Sequence, residues 1–175
     1  GQMSVEIKKV DGKEMLKQFV HFCIDLYKGN EYYVPPLIYD ELATLNKEKN
    51  PAFDHCEATY FMAFRDEKPV GRIAVFVNYK ANEVWNEQNA RFGFVDFIDD
   101  NEVVDALFGA AESWARFKGM KKIHGPMGFT DLDPEGLLIE GFDRIGTMST
   151  RYSYPYYKDQ IERLGYVKDQ DWYEY

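Results

Sequence analysis

Residues 90–119 read ARFGFVDFIDDNEVVDALFGAAESWARFKG. Ala90 to Ile98 is dense in Phe and Val, with few polar interruptions, and reads as a buried strand. Asp99-Asp100-Asn101 is helix-capping chemistry. Val103, Val104, Leu107, Ala110, Ala111, Trp114 and Phe117 then recur at helical spacing from about Glu102 to Lys118, and Gly119 stops the run. Lys122 to Met127 follows as another strand, broken at Gly125-Pro126. Strand, capped helix and strand in this order make a βαβ crossover, so a parallel pair is expected late in the chain.

Upstream, Val5 to Val10 predicts a short strand and Lys13 to Lys28 a helix, with Met15, Leu16, Phe19, Val20, Cys23, Leu26 and Tyr27 on one face. Gly29-Asn30 is a stop signal, and Pro36 opens a short second helix through Leu37, Ile38, Leu42 and Leu45. Ala58–Arg65 and Val70–Tyr79 are strong strands joined by a hairpin turn at residues 66–69. A polar connection around Val84 and Trp85 leads to the strand at Ala90. Downstream, Gly128 to Tyr156 is a long loop, Tyr157 to Leu164 a short helix, and Tyr166 to Tyr175 a terminal strand. The order β-α-α-β-β-β-α-β-α-β is that of a mixed α/β domain with antiparallel hairpins early and one crossover late.

The chain has 175 residues, enough for a single domain with a sizeable core. Aromatic residues make up 17%, which excludes a disordered chain, and no apolar run is long enough to span a membrane. The formal charge is −9, and cations occur only in short pairs such as Lys8-Lys9 and Lys121-Lys122. Nucleic-acid binding needs clustered cations, so neither nucleic acid nor membrane is an expected partner. An acidic field suits an amine-bearing one. Cys23 and Cys56 read as reduced, buried thiols, and no signal peptide is visible, so the cytoplasm is the expected compartment. Gly1-Gln2 ahead of Met3 reads as a remnant before the native start.

Long loops in compact domains are often functional. This one carries Asp131 and Asp133, which suit a substrate ammonium group, beside the tyrosines at 152, 154, 156 and 157. Asp131-Leu132-Asp133-Pro134-Glu135-Gly136 imitates the start of a calcium loop, but position twelve is Phe142 rather than a bidentate Glu. His21 and His55 have no visible metal partners, and no metal is expected. Nucleophile-elbow, P-loop, zincin and dinucleotide-binding motifs are absent.

The stretches VPPLIYDE (34–41), GRIAVFVN (71–78), GFVDFIDD (93–100), HGPMGFTDLDPEGLLIEGFD (124–143) and YPYYKDQIERLGY (154–166), taken in order, resemble a bacterial family of the GNAT superfamily, the GCN5-related N-acetyltransferases. Its members are longer, so the chain resembles their N-terminal part, residues 3–175 forming one domain. The resemblance implies a mostly antiparallel central sheet with helices on both faces and two splayed parallel strands. It implies acetyl-CoA or another acyl-CoA as cosubstrate, with pantetheine beside Val95 and Phe97 and pyrophosphate at Asn101, Glu102, Val103 and Val104. The superfamily's loop reads Arg/Gln-x-x-Gly-x-Gly/Ala, whereas this chain has Asp99-Asp100-Asn101-Glu102-Val103-Val104. Many members carry a tyrosine acid four residues before the glycine of the late helix, where this chain has Ile161. Tyr157 is then the candidate acid, His124 the candidate base and Tyr156 a candidate substrate contact. The expected function is acyl-CoA-dependent N-acylation of a small amine or amino-acid-like acceptor. The alternative is a non-catalytic GNAT-like module that recognises a ligand, forms a homodimer, or pairs with a second GNAT-like domain.

Overall fold

The computed structural model describes residues 4–26, 28, 38–125, 155–165 and 172–174. Its elements are β1 (Glu6–Lys9), α1 (Gly12–Leu26), α2 (Ile38–Leu45), a single 3-10 turn (Pro51–Asp54), β2 (Cys56–Arg65), β3 (Lys68–Asn78), α3 (Tyr79–Trp85), β4 (Asn89–Phe97), α4 (Asn101–Phe117), β5 (Lys122–His124), α5 (Pro155–Arg163) and β6 (Trp172–Glu174). They form a six-stranded sheet in sequence order, antiparallel except for the β4–β5 pair. The mixed α/β class expected from the element order is the one observed.

Three local outcomes differ in detail from the sequence expectation. The connection after β3 contains α3, because the Asn78 side chain caps it by accepting from the Ala81 amide. Its Val84 and Trp85 are exposed, so no apolar stripe announced a helix. Helix α5 starts at Pro155 rather than Tyr157; proline's missing N–H is harmless in a first turn. In the β2–β3 hairpin, Asp66 and Glu67 both have positive φ (53° and 66°), and Arg65 pairs with Lys68. Two left-handed residues give a two-residue turn whose twist matches the strands, so β3 begins at Lys68.

Alternation along β2–β4 sends side chains to two cores. One holds Ile73, Val75, Val77, Phe92, Val95 and Phe97 under Val103, Val104, Leu107, Phe108 and Ala111 of α4, with Tyr157 and Ile161 of α5. The other holds Ala58, Tyr60, Met62, Phe76 and Phe94 against Phe19, Val20 and Phe22 of α1 and Leu45 of α2. Each fully buried large apolar side chain contributes roughly 1.5–3 kcal/mol. Helices therefore cover both faces of the sheet. Cys23 and Cys56 are buried thiols, not joined in a disulfide.

Strand β4 is bulged. Its register to β3 shifts between Arg72↔Asp96 and Ala74↔Gly93, so β4 carries an extra residue there. Phe94 absorbs the bulge with φ 49°, an uncommon value for a bulky side chain. The alternation resets beyond it: Val95 and Phe97 stay under α4, while Asp96 turns to the other face, beside Arg72.

Candidate functional site

The free edge of β4 is the first component of the site. Parallel pairing to β5 covers Asn89–Arg91 against Lys122–His124. Strand β4 continues to Phe97, and there its neighbour is α5. The Ile98 amide donates to Val70 O on β3, so the peptide groups of Phe97 point the opposite way, out of the sheet. Two tyrosines meet them. Phe97 N–H donates to the Tyr157 hydroxyl at 3.2 Å, and the Tyr156 hydroxyl donates to Phe97 O at 2.7 Å. Their rings also pack on the Phe97 ring, with centroids at 4.5 Å for Tyr157 and 6.2 Å for Tyr156.

The N-terminus of α4 is the second component. The Asp100 carboxylate accepts from the amides of Glu102 and Val103, and Asp100 O accepts from Val104 N. Arg65 bridges Asp100 and Glu102. The hydrogen bond from Arg65 holds the Asp100 carboxyl below its ordinary range, against a smaller opposing effect of burial. Gln160 of α5 donates to Asp99 (3.0 Å) and Asn101 (2.7 Å), and Arg163 donates to Gln160 and Asp105. Every polar side chain of this turn is thus committed within the domain.

A buried charge cluster lies beside the edge. The fully buried Arg72 donates from Nε to Asp96 at 2.9 Å and from Nη1 to Phe19 O at 3.0 Å. The Tyr157 hydroxyl donates to the other Asp96 oxygen at 3.0 Å. Glu41 of α2 approaches Arg72 Nη1 at 3.7 Å, and its Oε1 accepts no hydrogen bond. Burial raises the Glu41 pKa, and the charge of Arg72 offsets this only in part. Two carboxylates thus face one guanidinium.

Of the residues singled out from sequence, Tyr156, Tyr157, Phe97, Asn101, Glu102, Val103 and Val104 come together at this junction. Val95 is buried in the α4 core. His124 lies on β5, away from the tyrosine pair in register, with Nε2 sealed and unpartnered. Burial, with the charge of Arg91 added, lowers its pKa to about 4, which makes it a weak base. Asp131 and Asp133 lie outside the described residues, as do Tyr152 and Tyr154. Sequence reasoning missed Arg72, Asp96, Glu41 and Gln160. A lone Arg inside GRIAVFVN and a lone Asp inside GFVDFI were the available signal: charges in buried strands need each other.

The tandem GNAT protein from the clavulanic acid biosynthesis pathway superposes with a TM-score of 0.51 at 13% identity, over 78% of this chain and 43% of that one. An aminoglycoside acetyltransferase from an uncultured soil metagenomic sample, solved with sisomicin, superposes with a TM-score of 0.50 at 13% identity, over 80% of this chain and 85% of that one. The chain has a GNAT-like fold. No family model matches it. This GNAT-like chain is 37% identical to Protein YghO of Escherichia coli K12 over 159 residues, 91% of this chain and 40% of the relative. It is 30% identical to the bacterial ceramide synthase of Caulobacter vibrioides over 161 residues, 91% of this chain and 42% of the relative. The chain thus spans about two-fifths of the length of the curated relatives it matches.

Coenzyme A makes two demands at this junction, free peptide groups on β4 and free amides at the start of α4. The first is blocked at Phe97, and the second is not met as the residues stand. The Phe97 peptide groups are bonded to the tyrosines, and the α4 amides to an aspartate flanked by two further acids. A pyrophosphate there would have to displace Asp100 and face Asp99 and Glu102. The described residues therefore do not fit the group. No helix among them is long and apolar enough to cross a membrane.

Proposed function

We propose that this chain is a GNAT-like unit of a longer N-acyltransferase, in which it supports the acceptor side and leaves acyl-CoA to the rest of the protein. The observation that carries this reading is the double occupation of Phe97 by Tyr156 and Tyr157. Amide formation is favoured by the kinship with a ceramide synthase, since a ceramide is an N-acylated amine. A tandem arrangement is favoured by the match to one part of a tandem GNAT protein.

On this reading Tyr157 positions Asp96 and the β4 edge and does not transfer a proton. Isothermal titration of acetyl-CoA into this chain and into the longer protein tests the reading. Heat is expected only with the longer protein. Binding to this chain at micromolar concentration would overturn it.

A further inference from the structure

Arg91 of β4 and His124 of β5 are register partners in a parallel pair, so their side chains leave the same face of the sheet. Ala90 and Phe92 point into the core under α4, whereas Phe76, opposite Arg91 on β3, belongs to the core under α1 and α2. Alternation therefore puts Arg91 and His124 on the α1/α2 face, where β5 ends beside β4. Each is half-buried.

Nε and Nη1 of Arg91 and Nε2 of His124 are sealed from solvent, and none makes a hydrogen bond. A guanidinium is always charged, and leaving its donors buried and unpaired is costly. The neighbours do not neutralise it. Burial raises the Cys56 thiol to about 12 despite the nearby charge of Arg91, so it stays protonated. His124 is neutral near pH 7 for the reason given above. Two donor-bearing side chains thus leave the same face of adjacent strands, and neither makes an ion pair among the described residues.

We propose that Arg91 and His124 form a receptor for one oxyanion, a carboxylate or a phosphate carried by a small ligand. The Nε/Nη1 edge of a guanidinium forms a fork that matches two oxygens of such a group, and the Nε2–H tautomer of a neutral imidazole supplies a further donor. This site is separate from the tyrosine-filled edge of β4 and does not depend on the acyl-transfer reading.

The test follows the His124 imidazole by NMR across pH in the full 175-residue chain, with inorganic phosphate, acetate or chloride at matched ionic strength. His124→Gln assigns the signal. A bound oxyanion is expected to move the His124 midpoint up from about 4 by at least a unit and to raise Tm by about 3 °C at saturation. Arg91→Gln should abolish both effects, and Arg91→Lys, which keeps the charge but not the fork, should weaken binding by about tenfold. A response to phosphate alone identifies a phosphorylated ligand, to acetate alone a carboxylate, and to both an unselective oxyanion site. The proposal is overturned if neither anion moves His124, or if the Arg91 variants respond like the parent; ordered water would then satisfy these atoms.

Discussion

The hydroxyl of Tyr157 reaches across the open edge of the sheet to Asp96, 3.0 Å away and 61 positions earlier in the chain. The same oxygen accepts from the Phe97 amide. One phenol therefore ties α5, the β4 edge and the Arg72 cluster together.

Tyr157→Phe should lower stability by about 2 kcal/mol, because it strips partners from a buried carboxylate and a buried amide at once. Tyr156→Phe removes one bond from a less buried site and should cost about 1 kcal/mol or less. Urea denaturation of the two variants gives the comparison. Equal, negligible effects would show that the tyrosines do not hold the β4 edge.

Glu41 makes a signed prediction in pH. Its pKa is higher in the folded chain than the ordinary 4.5, chiefly through burial. The folded state then holds the proton where the unfolded state has released it, so this group's contribution to stability declines as pH rises from about 4.5 through the folded value. Glu41→Gln should flatten that decline and leave stability near neutral pH equal or higher. Stability measured from pH 4 to 8 checks it; a Gln variant with a steeper decline would contradict it.

Asp100 has the opposite sign. Its carboxyl is held below the ordinary 3.8, first by Arg65. The stability it confers is therefore present above about 3.8 and is lost as acid titrates it through the lower, folded value. Asp100→Ala should cost about 1 kcal/mol at pH 7 through the lost cap, and Asp100→Asn less, since Asn also caps. Circular-dichroism melts at pH 7 and pH 3 should show the Ala penalty shrinking in acid.

Gly125 lets the end of β5 approach β4. A Cβ there would sit 2.3 Å from the Phe92 carbonyl oxygen, which is backbone and cannot rotate aside. Gly125→Ala should destabilise the chain by about 2 kcal/mol or prevent folding. At Gly71 the first clash, 2.6 Å, is with the Leu107 side-chain tip, so Gly71→Ala should be milder. Thermal unfolding of the pair ranks them; a milder effect at Gly125 would contradict the close approach.

Much of this architecture is legible in periodicity. The α4 stripe from Val103 to Ala115 and the Phe/Val-rich strands fix which faces are apolar, and apolar faces decide the layers. Helix α3 was not legible, because its signal is a single side-chain cap at Asn78. The acids at 99, 100 and 102 announced a capped helix, and their departure from the phosphate-loop pattern was visible in the letters. What filled the β4 edge was not, because Tyr156 and Phe97 are 59 positions apart and only the fold sets them together. The bulge at Phe94 was equally hidden, since a left-handed Phe leaves no mark in composition.

The late arrival of α5 has a consequence for synthesis. While a ribosome is still making the residues that precede Pro155, the outer rim of β4 has no tyrosines to occupy it, and an unsatisfied strand rim invites pairing with other nascent chains. Completing that helix closes the window, so truncation just short of it should yield inclusion bodies rather than a smaller native protein.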